Sequence, residues 1–159
     1  MFRTVELPDT ITGKLFLHSM PGRSEAFEAA REAIVGSGIA QVVCLAPNAE
    51  VVEKSPDYAR AIESGVPWRQ VSHAIPDYGV PDDVDAFRKT VDDAAAALRR
   101  GENVLVHCAA GIGRTGTFAV AVLCRLGVAL PEAGSRVKAA GSSAETKEQR
   151  AFLESICGR

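Results

Sequence analysis

The chain has little of what would mark it for a special environment: few cysteines, few aromatic residues, no surplus of positive charge and no long apolar run. Eighteen Lys and Arg face twenty Asp and Glu, for a net charge of −2. That balance offers no basic field to a nucleic-acid backbone or an anionic membrane surface, so neither is expected as a partner, and any bound anion must be held by local geometry. Cys44, Cys108, Cys124 and Cys157 lie far apart with no C-x-x-C pair. This excludes a disulfide scaffold and suits free thiols in a reducing cytoplasm, the expected location. His18, His73 and His107 share no ligand spacing with one another or with the cysteines, so neither a metal nor any other cofactor is expected. The N-terminal MFRTVELPDT contains Glu6 and Asp9 and no apolar h-region, so no signal peptide is expected. Phe118–Cys124, the longest apolar run near a helix, is too short to span a bilayer. No repeat or linker divides the 159 residues, and a single domain over 1–159, acting as a monomer, is expected.

What is present alternates between strand and helix signals. Lys14–His18 reads as a strand, and Ser24 as the cap of a helix carrying Phe27, Ala30 and Ile34 at helical spacing. Gln41–Leu45 is a buried strand stopped by Pro47-Asn48, and Ser55-Pro56 opens a helix ending at Gly65. Trp68–Ile75 is another strand, followed by the loop Pro76–Pro81. Asp82 or Asp83 starts an amphipathic helix with Val84, Phe87, Val91, Ala94, Ala95 and Leu98 in one stripe and Gly101 as its stop. Val104-Leu105-Val106 is uninterrupted and apolar, as in the centre of a mainly parallel sheet. Helices follow to Leu126, over 131–140 and over 146–156. The order predicts an α/β domain with a mainly parallel central sheet of four to five strands and helices on both faces.

The stretch NVLVHCAAGIGRTGT, 103–117, carries the chemistry. Gly111–Gly116 matches G-x-G-x-x-G, but a dinucleotide site needs a second strand ending in an acidic residue about 20 positions on. The sequence after Leu126 has no apolar β-run, and Glu132 sits in a helical pattern. A Walker loop fails for lack of Gly-Lys-Ser/Thr.

A phosphate-handling reading uses more of these residues. Cys108 ends a strand and enters a loop whose amides, over Ala109, Ala110, Gly111, Ile112 and Gly113, can converge on phosphate oxygens; glycines at 111 and 113 permit the backbone angles such a nest needs. The following helix aims its positive end at the same point. Such surroundings, with the Arg114 cation, favour a thiolate. The planar fork of Arg114 can hold two oxygens at once, and the Thr115 hydroxyl can donate to the sulfur as it leaves.

His107-Cys108-x5-Arg114-Thr115-Gly116 resembles the H-C-x5-R-T-G signature of the cysteine-dependent protein tyrosine phosphatases. The size and element order resemble the small atypical dual-specificity members over roughly residues 14–157. Ile75-Pro76-Asp77-Tyr78-Gly79-Val80-Pro81 is similar to the W-P-D-x-G-x-P mobile loop of that superfamily, with Ile75 in place of the tryptophan. The resemblance implies a phosphocysteine on Cys108, Asp77 as general acid and then base, and a water oriented by Gln149, which otherwise reads as a polar residue on a C-terminal helix. It also implies a phosphorylated protein substrate and a shallow site for phosphotyrosine, with phosphoserine and phosphothreonine open as further substrates. Phosphoinositide phosphatases of the superfamily place lysines among the five loop residues, and this chain has none there.

His107 is expected to order the loop through hydrogen bonds rather than to move protons. Arg23 reads as a surface arginine with the alternative of meeting a second substrate charge. Cys44 reads as a structural cysteine with the alternative of a disulfide to oxidised Cys108. Two other functional readings stay open at this level: a phosphoprotein-binding pseudophosphatase without turnover, and a rhodanese-type sulfurtransferase, which would have no need of Asp77.

Overall fold

Val104, Leu105 and Val106 are fully buried because their strand is covered on both sides. In the computed structural model, which describes residues 1–157, the elements run β1 (Arg3–Val5), β2 (Leu15–His18), α1 (Phe27–Gly36), β3 (Ile39–Cys44), α2 (Asn48–Lys54), α3 (Pro56–Ser64), β4 (Arg69–Ser72), α4 (Val84–Arg99), β5 (Asn103–His107), α5 (Gly113–Arg125), α6 (Leu130–Ala139) and α7 (Lys147–Cys157). The sheet order is β1-β2-β5-β3-β4. All its pairings are parallel except β1 with β2, so the single α/β domain with a mainly parallel sheet is as the strand–helix alternation predicts.

Side chains along each strand alternate between two cores. Leu15, Leu17, Val43, Val104 and Val106 pack with Phe87, Leu98, Phe118 and Leu153 from α4, α5 and α7. Leu105 and Val42 face the other way, onto Met20, Phe27, Ile34 and Tyr58 beside α1 and α3. Each fully buried aliphatic or aromatic side chain contributes on the order of 1.5–3 kcal/mol. Every residue of α5 from Gly113 to Leu123 is buried, which is why its stretch Phe118–Leu123 is apolar all round rather than striped. No described helix is long and apolar enough to cross a membrane.

Several boundaries differ from the sequence reading. The first helix begins at Phe27 and is not capped by Ser24. The Glu25 carboxylate accepts the Gly22 N–H at 3.0 Å and pairs with His18 at 2.6 Å, which keeps 22–25 in a turn. Ser55 precedes Pro56, the first residue of α3, yet its hydroxyl donates to the Pro21 carbonyl instead of capping. Asp83, not Asp82, caps α4, accepting from the Ala86 N–H at 3.0 Å. The strand expected over 68–75 ends at Ser72; His73 and Ile75 still donate to the Cys44 and Leu45 carbonyls, so the chain leaves the sheet gradually and carries the 76–81 loop to the ends of β3 and β5. The short elements β1 and α2 were not expected at all.

Candidate active site

Parallel strands that end together leave a crevice at their carboxyl ends, and here that crevice is floored by the loop joining β5 to α5. Cys108 follows the last residue of β5 and is 2% exposed. Its Sγ accepts two hydrogen bonds, from the Gly111 N–H at 3.3 Å and from the Thr115 hydroxyl at 3.1 Å. Gly111 adopts φ +79°, the left-handed conformation in which successive N–H groups turn inward to form an anion nest. Gly113 has no positive φ. A Cβ there would meet only the end of the Glu145 side chain, and the lack of a positive φ corrects the expectation that both glycines supply backbone angles. Gly113 is the first residue of α5, whose opening N–H groups have no partner within the helix and face this loop.

Arg114 lies in the first turn of α5 but does not reach solvent. Its Nη1 donates to Glu50 Oε2 at 2.8 Å and to the Ile75 carbonyl at 3.0 Å, and its Nη2 donates to Glu50 Oε1 at 2.9 Å. Asp77 Oδ1 stands 3.3 Å from the same Nη2. Burial alone would lower the Arg114 pKa, but the Glu50 hydrogen bonds and the charges of Cys108, Glu50 and Asp77 raise it above the ordinary value. In return, Arg114 holds the Glu50 carboxyl below the usual carboxylate range against the opposing effect of burial, with Lys54 and Arg23 adding to it. Arg23 therefore sits within electrostatic reach of the site.

The loop carrying Asp77 is tethered at three points. Ile75, where the superfamily loop has tryptophan, is buried in the core with Phe87 and Phe118. The Gly79 N–H closes a turn on the Pro76 carbonyl at 2.8 Å. Gln149 Nε2 donates to the Gly79 carbonyl at 3.1 Å. The other end of the Gln149 amide accepts the N–H groups of Glu145 and Thr146, while Thr146 Oγ1 accepts the Gln149 N–H, a reciprocal cap at the start of α7. Gln149 thus joins α7 to the Asp77 loop, and Asp77 itself stays 59% exposed at the mouth.

His107 is wholly buried, and burial pushes its pKa down to about 4, so the ring is neutral. Its Nδ1–H donates to the Cys108 carbonyl at 2.9 Å, Nε2 accepts the Tyr58 hydroxyl at 2.7 Å, and Tyr58 in turn accepts from Gln70 Nε2 at 2.9 Å. The direction of this chain follows because a carbonyl can only accept. Cys44 packs with the opposite core from Cys108, donates to the Ala46 carbonyl at 3.6 Å and is pushed up to about 11 by burial. A hollow of about 860 Å³ between Phe87, Val91, Cys124, Val128 and Cys157 lies at the other end of α5, roughly 15 Å from Arg114 by helical rise, and includes none of these groups.

The structure brings Cys108, Arg114, Thr115, Asp77 and the 109–113 loop to one crevice, with Gln149 of α7 bonded to the Asp77 loop and His107 beneath. Glu50 escapes the sequence reading altogether. It lies on a seven-residue helix and 64 positions from its partner, with no motif around it. Tyr58 and Gln70 escape for the same reason.

The chain is similar to known phosphatases in sequence and in fold. Over 82 residues, half of its length, the chain is 40% identical to tyrosine-protein phosphatase 1 of Caenorhabditis elegans, of which it spans 8%. It superposes on the structure of Tk-PTP in the active form with a TM-score of 0.73 at 28% identity, covering 95% of this chain and 98% of that one. It superposes on kinase associated phosphatase, solved with its catalytic-site cysteine replaced by serine, with a TM-score of 0.83 at 17% identity, covering 100% and 97%. Residues 12–156 match the family described as Swiss Army Knife protein, DSP-PTPase phosphatase domain, and the chain belongs to that family of cysteine-dependent, dual-specificity-like phosphatase domains.

Proposed function

We propose that the chain is a phosphoprotein phosphatase that works through a phosphocysteine on Cys108. The observation that carries this reading is the sulfur itself: a buried Sγ receiving two hydrogen bonds, with the Arg114 fork beside it and Asp77 3.3 Å from that fork.

In the first step the Cys108 thiolate attacks phosphorus in line, the S–P bond forms, and the bond to the leaving oxygen breaks as Asp77 delivers its proton to it. In the second, Asp77 takes a proton from water, the water oxygen attacks phosphorus, and the S–P bond breaks with its electron pair returning to sulfur. The Thr115 hydroxyl stabilises that returning charge. The amides of Ala109, Ala110, Gly111, Ile112 and Gly113, together with Arg114, hold the equatorial oxygens in both steps. Gln149 tethers the Asp77 loop through the Gly79 carbonyl, and the resemblance to the dual-specificity phosphatases gives its amide the further role of orienting the hydrolytic water. The absence of lysine from 109–113 weighs against a polyanionic lipid head group, and the likeness to tyrosine-protein phosphatases puts phosphotyrosine first among phosphoprotein substrates.

The test is hydrolysis of para-nitrophenyl phosphate with EDTA present, comparing the native chain with Cys108→Ser. Turnover by the native chain and none by the variant is expected. If the native chain is silent but still binds vanadate, the loop is a phosphoprotein-binding site and not an enzyme.

A further inference from the structure

The outer side of the phosphate loop is gripped by residues that the mechanism above does not use. Arg3, on the edge strand β1, sends Nη2 to the Gly111 carbonyl at 2.8 Å. Its Nη1 reaches the Ala140 carbonyl at 2.9 Å and Ser142 Oγ at 2.8 Å. Ser142, 1% exposed, donates its own hydroxyl hydrogen bond to the same Gly111 carbonyl at 2.6 Å. One residue further on, the Ile112 carbonyl accepts the Ser143 N–H at 3.2 Å. Two successive carbonyls of the loop are therefore held from outside by residues 3, 142 and 143.

The direction of these bonds matters. In a trans peptide the carbonyl and the next N–H point opposite ways. With the Gly111 oxygen fixed toward Arg3, the Ile112 N–H faces the other side of that peptide, and the Gly111 N–H already points at Cys108 Sγ. Turning over this one glycine peptide would replace an inward amide with an inward carbonyl, which repels phosphate. Glycine has little intrinsic preference against such a turn, so the loop needs an external lock. The surroundings are shaped for one: Gly141 has φ +93°, and a Cβ there would stand 2.9 Å from Arg3 Nη1.

We infer that Arg3, acting with Ser142, is a positioning residue that locks the Gly111 carbonyl outward and so keeps the phosphate loop in its anion-binding form. The inference rests on the phosphatase reading and adds to it a residue more than a hundred positions away in sequence. Arg3 also brings a second positive charge to the nucleophile. Burial lowers its pKa, and the charge of Cys108 pulls it back up.

The test compares native chain, Arg3→Met, Arg3→Lys, Ser142→Ala and Gly141→Ala. It measures the vanadate inhibition constant and, separately, kcat and KM for para-nitrophenyl phosphate, at a temperature well below each melting point. Arg3→Met keeps the stem and removes the fork, and should weaken vanadate and lower kcat by roughly ten- to hundredfold, the scale of one charge-assisted hydrogen bond. Arg3→Lys restores charge without the fork and should recover less than half of that loss. Gly141→Ala leaves every partner chemically intact and should weaken vanadate in the same sense, which keeps the test alive if Arg3→Met does not fold. A core variant such as Val137→Ala should lower the melting point and leave the vanadate constant alone. Vanadate constants within twofold of native for Arg3→Met, Ser142→Ala and Gly141→Ala would overturn the inference. A native chain that neither hydrolyses the substrate nor binds vanadate overturns the phosphatase reading itself, and this inference with it.

Discussion

Glu50 and Arg114 meet fork to fork, with both guanidinium nitrogens 2.8–2.9 Å from the two carboxylate oxygens and Arg114 only 2% exposed. A carboxylate beside a phosphate site looks counterproductive, since it repels the substrate dianion. Its value is orientation: the guanidinium plane is fixed before phosphate arrives, so the fork need not be ordered during the reaction. Removing one partner of a buried pair costs about 3–5 kcal/mol in general, and here the Ile75 carbonyl and Asp77 remain to soften the loss. Glu50→Gln is therefore expected to destabilise the free chain by about 1–3 kcal/mol and to lower kcat by about tenfold or more. Phosphate should raise the melting point of the variant more than that of the native chain, because the bound dianion supplies the missing counter-charge. Thermal melts with and without phosphate check this, and equal phosphate shifts would show that Glu50 does not compensate the buried cation.

Asp77→Asn tests the proton donor. General acid catalysis is worth about 10²–10⁴ when the leaving oxygen is a poor leaving group. The loss in kcat should approach that range with a phosphotyrosine peptide and be markedly smaller with an aryl phosphate whose phenol is strongly acidic. Equal losses on both substrates would remove Asp77 from the protonation step.

Much of this arrangement was legible in the sequence, for a physical reason. The Cys108 loop is local: strand, glycine and helix start lie within fifteen residues, so spacing alone implies their geometry. The α4 stripe and the apolar Val104-Leu105-Val106 of β5 were legible because burial on one face or two leaves its mark in the sequence. What stayed hidden depends on contacts between distant residues. Three-residue β1 has no period to display, and it exists because Arg3–Val5 pair antiparallel with Leu15–Leu17. The α1 boundary was misplaced because a carboxylate three residues after Gly22 found a turn amide and His18 before it could serve a helix. Glu50 and Arg3 look like ordinary surface charges in sequence, and only the fold shows where their charge is used.

Gly111 and Gly113 are the same residue two positions apart, yet replacing them should have opposite outcomes. At Gly111 the backbone has φ +79°, and an added Cβ would stand 2.5 Å from the His18 carbonyl oxygen and 2.8 Å from the Ser19 nitrogen, both main-chain atoms that cannot move aside. Gly111→Ala should cost about 1–3 kcal/mol in strain alone and abolish measurable vanadate binding, because the loop can relieve the contact only by leaving its nest. At Gly113 the obstacle is the end of the flexible Glu145 side chain, and the backbone is helical. Gly113→Ala should change stability by no more than about 1 kcal/mol and retain most of the vanadate affinity. Melting and inhibition measured side by side check the contrast; matching behaviour of the two variants would mean that the loop tolerates a left-handed alanine or that Glu145 is not free to swing.

The neutral His107 makes stability depend on pH in a window that can be calculated. Its pKa is about 4 in the folded chain against about 6.5 when unfolded. Between those values the unfolded chain binds the extra proton, so stability rises with pH across the window and is lost as pH falls through it. The loss between pH 7 and pH 5 should be about 2 kcal/mol from this residue, complete near pH 4. His73, also lowered by burial, adds to it with the same sign, and the Glu25 and Glu50 carboxyls, held low by their partners, extend the fall further into acid. His107→Asn separates these contributions. An asparagine amide can still donate to the Cys108 carbonyl as Nδ1–H does, but it leaves the Tyr58 hydroxyl without its acceptor, so the variant should be less stable at pH 7 by about 1–3 kcal/mol. Its stability should then change by about 2 kcal/mol less than that of the native chain between pH 7 and pH 5. Urea unfolding at pH 7, 6 and 5 reads both effects. Parallel curves for native and variant would mean that the ring takes up its proton at the same pH in the folded and unfolded chains, so that burial does not hold His107 neutral.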